Sequence, residues 1–246
     1  MTAGQIALIA AVFLLAGTVK GLIGLGLPTI AMGLLGLVMP PAEAAVLLLV
    51  PSMVTNVGQL LAGPALRPLV TRLWPMFVGV VGGTWAGVGL LTDAGGPGAL
   101  VGLGAALVVY GMVGLAQLRL AVPRDAERWA GPTVGVLTGF VGGATGVFVV
   151  PGVPYVASLG FDRDTLVQAL GLSFTVSTVA LAAGLAWYGA IPWEGAGVSA
   201  LAVAPALVGM AAGGWLRKRV RPAVFRVCFF AGLMVLGAEL MWRGLA

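Results

Sequence analysis

Each half of the chain opens with the same feature, a glycine-rich break inside apolar sequence. The first break is Gly21-Leu-Ile-Gly-Leu-Gly-Leu-Pro28, and the second is Gly139-Phe-Val-Gly-Gly-Ala-Thr-Gly146. Glycine lets a backbone turn sharply and approach other groups closely, so each break predicts an interrupted helix. Interrupted helices at matching positions of two membrane repeats indicate where a small molecule binds. The duplication therefore constrains both the architecture and the location of a site.

Hydrophobic residues make up 60% of the 246 residues and charged residues only 9%. A soluble domain of this size cannot enclose so many apolar side chains, so lipid must cover much of the surface. The sequence has no histidine and a single cysteine, Cys228. Imidazole ligands, intrachain disulfides and cysteine metal clusters are therefore excluded, and we predict no cofactor and no metal site. Arginines in cytoplasmic loops explain the net charge of +5 better than nucleic-acid binding does.

Ten apolar stretches divide the chain into a first repeat, 1–119, and a second repeat, 120–246, within one integrated membrane domain. The stretches cover residues 4–18, 27–39, 42–62, 70–92 and 97–117, and then 131–143, 147–160, 164–189, 195–216 and 222–243. The first two of each set give only about 20 Å of helix, against about 30 Å of hydrocarbon. We therefore predict that each repeat has a short-helix pair, re-entrant or tilted, followed by three transmembrane helices.

The basic residues indicate how these segments are oriented, because lysine and arginine concentrate in cytoplasmic loops. If each opening pair returns to its starting side, the loops holding Arg67, Arg124 and Arg219 share one face. If each pair were a single broken crossing, Arg124 and Arg219 would face opposite sides. We therefore predict an all-α polytopic membrane protein of two inverted repeats, with these loops in the cytoplasm and both termini outside.

Polar side chains follow each break on otherwise apolar helices. Ser52, Asn56 and Gln59 are spaced at i, i+4 and i+7, which places them on one helical face. Ser173 and Ser177 take matching places in the second repeat, so we expect Ser173 to lie beside Asn56. Neutral donors of this kind can hold an oxyanion, although interhelical hydrogen bonding is the ordinary role of such residues. We favour binding for Asn56 and Gln59, and both roles stay open for the serines.

The breaks themselves supply further candidates. Helices that begin near Pro28 and Gly146 would present unpaired N–H groups and partial positive charge, which together favour an anion. Lys20 stands just before the first break, where it would attract an anion or extend to the membrane interface. The alternative is that the glycines only kink packed helices. The candidate residues in and beside the breaks are Lys20, Gly24, Gly26, Gly143, Thr145 and Gly146.

Two longer patterns carry a family resemblance. The first half reads Gly21-x-x-Gly24-x-Gly26-x-Pro28, followed by Pro51-Ser52-x-x-Thr55-Asn56-x-x-Gln59. The second reads Gly139-x-x-Gly142-Gly143-x-x-Gly146, followed by Val149-Val150-Pro151 and Ala169-x-Gly171-x-Ser173. Over nearly its whole length the chain resembles the TauE/SafE family of sulfite and organosulfonate exporters, with fewer consecutive glycines than is usual there. The resemblance implies export of a small sulfur-containing anion across the bacterial inner membrane.

These observations predict a secondary transporter that binds its anion at mid-membrane between broken-helix N-termini and works by alternating access. An enzyme is not expected, because the chain offers no histidine and its acids fall mainly in loops and helix ends. A passive anion channel, a lipid-phosphate flippase and a cation- or proton-coupled carrier stay open. Without a mid-membrane carboxylate, we expect no obligatory proton coupling. The expected partners are a small anionic substrate and the lipid bilayer, with no nucleic acid and with a homo-oligomer left open.

Overall fold

The computed structural model describes residues 2–93, 97–117, 121–191, 193–217 and 219–246. Over these ranges the chain forms α-helices and no β-strand. The helices are α1 (Ala3–Ile23), α2 (Leu27–Leu35), α3 (Pro41–Leu61), α4 (Leu66–Asp93), α5 (Pro97–Ala116), α6 (Glu127–Thr145), α7 (Gly152–Ser158), α8 (Arg163–Trp187), α9 (Trp193–Leu201), α10 (Val203–Leu216) and α11 (Pro222–Leu245).

Seven helical segments of the described residues are long and apolar enough to cross a membrane. They lie in α1, α3, α4, α5, α8 and α11, and in the joined helices α9 and α10, which supply Gly197–Leu216. A helix needs about 20 apolar residues to cross the hydrocarbon layer, and each segment meets that length. The chain is therefore an all-α, multi-pass membrane protein, and the predicted fold class is confirmed at this level.

The prediction that both opening segments of each repeat are short is wrong for the first of each pair. Helix α1 has 21 residues, about 31 Å, and continues through Lys20 and Gly21. Helix α6 has 19 residues and continues through Gly139 and Gly143. Only the second helices, α2 and α7, are short. Glycine inside a helix costs only about 1 kcal/mol relative to alanine, so close packing of its bare face offsets that cost.

The helices end where glycine adopts a left-handed conformation. Gly24 has φ +80° and donates its N–H to the Lys20 carbonyl, which closes α1. Gly26 has φ +103° and precedes α2, whose first turn contains Pro28 as predicted. Gly146 has φ +73° and ends α6. The prediction of a helix start near Gly146 is therefore wrong, because the next helix, α7, begins only at Gly152.

Glycine stripes bring the backbones of α4 and α6 into direct contact. A Cβ atom added to Gly83 or Gly87 would collide with the backbone of α6, and one added to Gly139 would collide with the backbone of α4. The contact points advance together along both helices, so α4 and α6 run parallel. Such close approach supplies the van der Waals contact that holds helices together in lipid. Gly83 and Gly87 are therefore packing glycines.

The same arrangement recurs between α1 and α10. Gly17 and Gly21 face the α10 backbone, and Gly209 and Gly213 face the backbone of α1. These helices also run parallel, because higher-numbered positions meet higher-numbered positions. The first helix of each half therefore packs along a later helix of the other half.

Two further pairs join corresponding helices of the two halves. In α3 and α8, Gly63 lies beside Gln168 while Asn56 bonds Thr178, so the two helices run antiparallel. Helices α5 and α11 are also antiparallel, since Gly104 faces Gly237 and Gly111 faces Phe230.

Basic side chains gather at one end of the helix bundle. Arg72 of α4 forms a two-point ion pair with Glu127 of α6, at 2.8 and 2.5 Å, and donates to the Leu159 carbonyl at 3.0 Å. At the same end Asp162 caps α8, and hydrogen bonds from Thr165 lower the pKa of the Asp162 carboxyl. The contacts of Arg72 thus join α4 to α6 and to the residue that follows α7, at the end of the bundle where the basic residues lie.

At the opposite end, Arg243 forms an i,i+4 ion pair with Glu239 at 2.7 Å. Arg243 also donates to the Leu37 carbonyl at 3.2 Å, which ties the end of α11 to the turn after α2. Arg119, Lys218 and Gly95 lie outside the described residues.

The two neighbouring glycines of α4 give a test of the stripe. Gly83→Ala should lower the unfolding temperature, because its Cβ atom has no room against α6 and overpacking costs about 1–3 kcal/mol. Gly82→Ala is the control, since Gly82 is exposed and a Cβ atom there meets nothing within 4 Å. Thermal unfolding of the purified protein in detergent measures both. Equal stability of the two variants would contradict the parallel α4–α6 contact.

Candidate functional site

Lys20 is the buried cation at the centre of the candidate site. Only 2% of the residue is exposed, although it lies in a helix that packs along the bundle surface. Its ammonium donates to Thr55 Oγ1 at 3.0 Å and to Asn56 Oδ1, both on α3. Thr55 donates its own proton to the Pro51 carbonyl, so its oxygen is free to accept from lysine. Of the two expected positions for Lys20, the structure shows the buried one and not the membrane interface.

The partners of Lys20 carry no negative charge. The ion pairs among the described residues are Arg72–Glu127 and Arg243–Glu239, and neither involves Lys20. An ammonium has three donors, and the two oxygens found here accept two of them. Burying a charge without an opposite charge costs several kcal/mol, even after the surroundings relax. The site therefore favours a bound anion electrostatically.

Asn56 links this cation to the other half of the protein. Lys20 Nζ donates to the Asn56 carbonyl oxygen, so the amide nitrogen of Asn56 points away from Lys20. That nitrogen donates to Thr178 Oγ1 on α8 at 3.3 Å. Its second N–H has no partner among the described residues. Lys20 thus orients an amide donor, in a residue that is itself fully buried.

A small cavity lies beside Asn56. Its polar wall includes Ser52, whose buried hydroxyl lacks a hydrogen-bond partner within the described residues, and Thr178. Pro28 of the first break and Gly146 of the second line the same cavity, so the structure brings the two breaks together as expected. The cavity volume is about 20 Å³, which is room for about one water molecule. The site is therefore closed in this conformation.

Other residues of the first break hold this arrangement in place. Gln59 donates to the Gly24 carbonyl at 2.6 Å, so it ties the end of α1 to α3, and it does not line the cavity. Gly26 lies against Val19 and Phe229, where a Cβ atom would come within 3.1 and 3.3 Å of their side chains. Gly24, Gly26 and Gln59 therefore position the break.

The serines of the second half occupy a different place. Ser173 donates to the Ala169 carbonyl at 2.8 Å, and Ser177 donates to the Ser173 carbonyl at 2.9 Å. Both line a separate cavity of about 10 Å³ beside Thr138 and Gly152. The prediction that Ser173 lies beside Asn56 is therefore wrong. Local hydrogen bonds to the preceding turn satisfy both hydroxyls.

Thr178 takes the place that sequence reasoning gave to Ser173. The available signal was periodicity, since Thr178 follows Gly171 by seven residues and so shares its helical face. Gly171 packs directly on the α3 backbone at Leu60, which makes that face the contact with α3. Thr55 was likewise missed as a partner of Lys20, although it stands in the family pattern.

Two predicted residues of the second break lie away from the cavity. Gly143 faces the α4 backbone at Thr84, as a packing glycine. Thr145 donates to the Val141 carbonyl at 2.7 Å and accepts from the Val147 N–H at 3.2 Å, so its hydroxyl stabilises the end of α6. Thr145 lines an apolar cavity of about 500 Å³ between α4, α5 and α6. Their placement does not support a binding role.

A larger cavity of about 720 Å³ lies at the basic end of the bundle. Ile23 and Leu25 of the first break form part of its wall, opposite Val153 of α7. The half-buried Arg226 of α11 also lines it and forms no ion pair among the described residues. The cavity brings a second positive charge next to the first break.

The profile of the family described as Sulfite exporter TauE/SafE matches residues 9–240, nearly the whole chain. The chain belongs to the TauE/SafE family. The resemblance found in the glycine patterns is thereby confirmed, and the TauE/SafE match covers both breaks and the helices that follow them. TauE/SafE proteins are membrane transporters of sulfur anions. No curated protein and no solved structure matches the chain.

Substitutions at two glycines with the same backbone conformation test whether the first and second breaks pack against each other. Gly146 and Gly160 both have φ +73°, so alanine strains both by about 1–2 kcal/mol. At Gly146 the added Cβ atom would also come within 2.8 Å of Met32 on α2, whereas at Gly160 it meets nothing within 4 Å. Gly146→Ala should therefore lower the unfolding temperature more than Gly160→Ala. Equal shifts for both variants in a thermal unfolding assay would show that α2 does not press on Gly146.

Proposed function

We propose that this protein is a secondary transporter that exports sulfite or an organosulfonate across the bacterial inner membrane by alternating access. The single observation that carries the proposal is the buried Lys20 side chain, whose partners are neutral oxygens, so that its ammonium form has no opposite charge until an anion binds. A site with an uncompensated positive charge attracts an anion and repels a cation. Membership in a family of sulfite exporters supports the sulfur oxyanion as the substrate class.

The anion binds between the two halves, beside Asn56. The free amide N–H of Asn56, the unpartnered Ser52 hydroxyl and the first turn of α2 supply neutral donors. Lys20 adds the charge and holds Asn56 in the orientation that donates. The second half contributes Thr178 and the end of α6 at Gly146, since α7 begins too far along the chain to present its N-terminus here.

The two halves are inverted repeats, and the first helix of each half packs along a helix of the other half. Corresponding helices α3 and α8 run antiparallel, as do α5 and α11, which is the relation that an inverted duplication requires. The parallel pairs α1–α10 and α6–α4 are equivalent, because each joins the first helix of one half to a later helix of the other half. Rocking of such repeats about a site at their interface is a general route to alternating access.

The closed cavity supports a carrier over an open channel. About 20 Å³ beside Asn56 is too small for an oxyanion, so loading requires the halves to move apart. The cavity of about 720 Å³ provides the approach from the cytoplasm, and Arg226 on its wall raises the local concentration of anions.

The basic end of the bundle faces the cytoplasm, and both termini face outside. In a variant with Cys228 replaced by serine, single cysteines at positions 67 and 219 should resist an impermeant thiol reagent in intact cells. A cysteine at position 38 should react, because Val38 is 57% exposed next to the opposite end. Labelling of positions 38 and 219 from the same side would contradict this topology.

Substrate binding is testable by thermal stabilisation of the purified protein with sulfite, sulfate, sulfoacetate, taurine and phosphate. A ligand at free concentration c stabilises the folded protein by RT ln(1 + c/Kd), so the anion that binds most tightly, sulfite or sulfoacetate, should raise the unfolding temperature most. Asn56→Ala removes a buried donor worth about 1–3 kcal/mol, which lowers affinity roughly tenfold to hundredfold.

Ser173→Ala is the matched control for Asn56→Ala. Ser173 is buried on the facing helix, but its hydroxyl bonds its own backbone and lines the other cavity. Its removal should leave anion affinity close to that of the wild type. Counterflow in proteoliposomes then separates mechanisms, because a carrier shows stimulation by anion on the far side and a channel does not. If none of the sulfur anions stabilises the wild-type protein, the proposed function is wrong.

A further inference from the structure

The hydrogen bonds of Lys20 suit two protonation states. A neutral amine has two N–H donors, and the structure offers two acceptors, Thr55 Oγ1 and Asn56 Oδ1. An ammonium has a third donor, which these acceptors leave for a ligand. The same side chain is therefore satisfied as a neutral amine when the site is empty, and as an ammonium when an anion is present.

No described side chain holds Lys20 in the charged form. Helix α2 carries no titratable residue, and the partners on α3 and α8 are neutral. Charged groups on the elements packed around α1 lie at exposed helix ends or on the wall of the large cavity. They are Glu43 on α3, Arg163 and Asp164 on α8, Arg217 after α10, and Arg226, Glu239 and Arg243 on α11. Burial without an opposite charge favours the neutral form of an amine.

We infer that Lys20 takes up a proton when the anion binds and releases it when the anion leaves, so that each anion travels with one proton. The inference rests on the proposed function and names its coupled ion. On binding, the amine lone pair forms an N–H bond with a proton from water on the open side. On release to the other side, that bond breaks and the proton returns to water there. The sequence-based expectation of no coupling considered only carboxylates, and this inference replaces it.

Coupling of this kind keeps the site electrically neutral in both the empty and the anion-loaded form of the transporter. The empty form carries a neutral amine, and the loaded form carries an ammonium with a monovalent anion. Neither form moves a net charge through the low-dielectric interior, where an uncompensated charge is costly. Flux of a monovalent anion should therefore respond to a pH gradient and should not respond to membrane potential.

The test uses the full chain in proteoliposomes with 2-hydroxyethanesulfonate, whose charge does not change with pH near neutrality. A trapped pH dye reports protons while potassium and valinomycin clamp the membrane potential. An inward gradient of this sulfonate should acidify the lumen of wild-type vesicles by one proton for each anion. Vesicles that take up the sulfonate with no change in lumenal pH would overturn the inference and leave the proposed function standing.

Two variants locate the proton on Lys20. Lys20→Arg keeps a permanent positive charge, so anion exchange should persist while proton movement is lost. Lys20→Met removes the charge, and anion affinity should fall at least tenfold together with proton movement. Arg243→Gln, which alters an exposed pair at the other end, should behave as the wild type. Proton movement that survives in either Lys20 variant would overturn the assignment.

Calorimetry on the wild-type protein covers the case in which the variants fail to fold. Binding heats of 2-hydroxyethanesulfonate in buffers of different ionisation enthalpy should show uptake of one proton per bound anion. The same measurement is made with sulfite at alkaline pH, where sulfite is fully ionised, because the site could be too small for 2-hydroxyethanesulfonate. Binding without proton uptake would overturn the inference. Failure of both anions to bind would instead overturn the proposed function.

Discussion

The buried charge of Lys20 sets the requirements that the surrounding helices meet. To bury this side chain, α1 must continue through Gly21 so that Lys20 faces α3. Helix α3 must then offer oxygen acceptors on that face, and Thr55 and Asn56 do so. Asn56 in turn requires a partner on α8, where Thr178 stands. The hydrogen bonds of one buried amino group therefore determine how α1, α3 and α8, from both halves of the protein, align with one another.

Glycine plays two separate roles in this chain, and the two are easily confused in the sequence. Gly24, Gly26 and Gly146 end or begin helices, because their positive φ values are strained for other residues. Gly139 and Gly143 lie in the interior of α6, where the absence of a side chain lets the helix backbones touch. The first group shapes the site, while the second holds α6 against α4. A substitution in either group harms the protein, for different physical reasons.

The two halves share a helix order but do not contribute equally to the site. The first half supplies the cation, the amide and the start of α2, whereas the second supplies Thr178 and the end of α6. The serines that correspond to Ser52 and Asn56 face a second small cavity, in which their hydroxyls are satisfied locally. The two places match in sequence position, and only the first holds a basic side chain, Lys20.

The amino-acid pattern was sufficient to predict an all-α membrane protein and its family. These properties follow from hydrophobicity summed over many residues and from a spacing that occurs twice, and neither depends on contacts. Lys20, Ser52, Asn56, Pro28 and Gly146 were also recognised as candidates, because polar or conformationally special residues are conspicuous among apolar ones. The sequence also predicted that one end of the bundle is basic, because the loops holding Arg67, Arg124 and Arg219 share one face.

Only the tertiary structure decided where the helices end and which face of each helix meets another. A helix-ending glycine and a packing glycine look alike in the amino-acid sequence. The difference is whether the backbone of another helix lies against the glycine, as the Thr84 backbone of α4 lies against Gly143. For the same reason Thr178, and not Ser173, reaches Asn56: residues five apart on a helix point in different directions, and the α3 contact selects one of them. The burial of Lys20 likewise depends on packing, because a flexible side chain reaches either the membrane interface or a buried acceptor until its neighbours are in place.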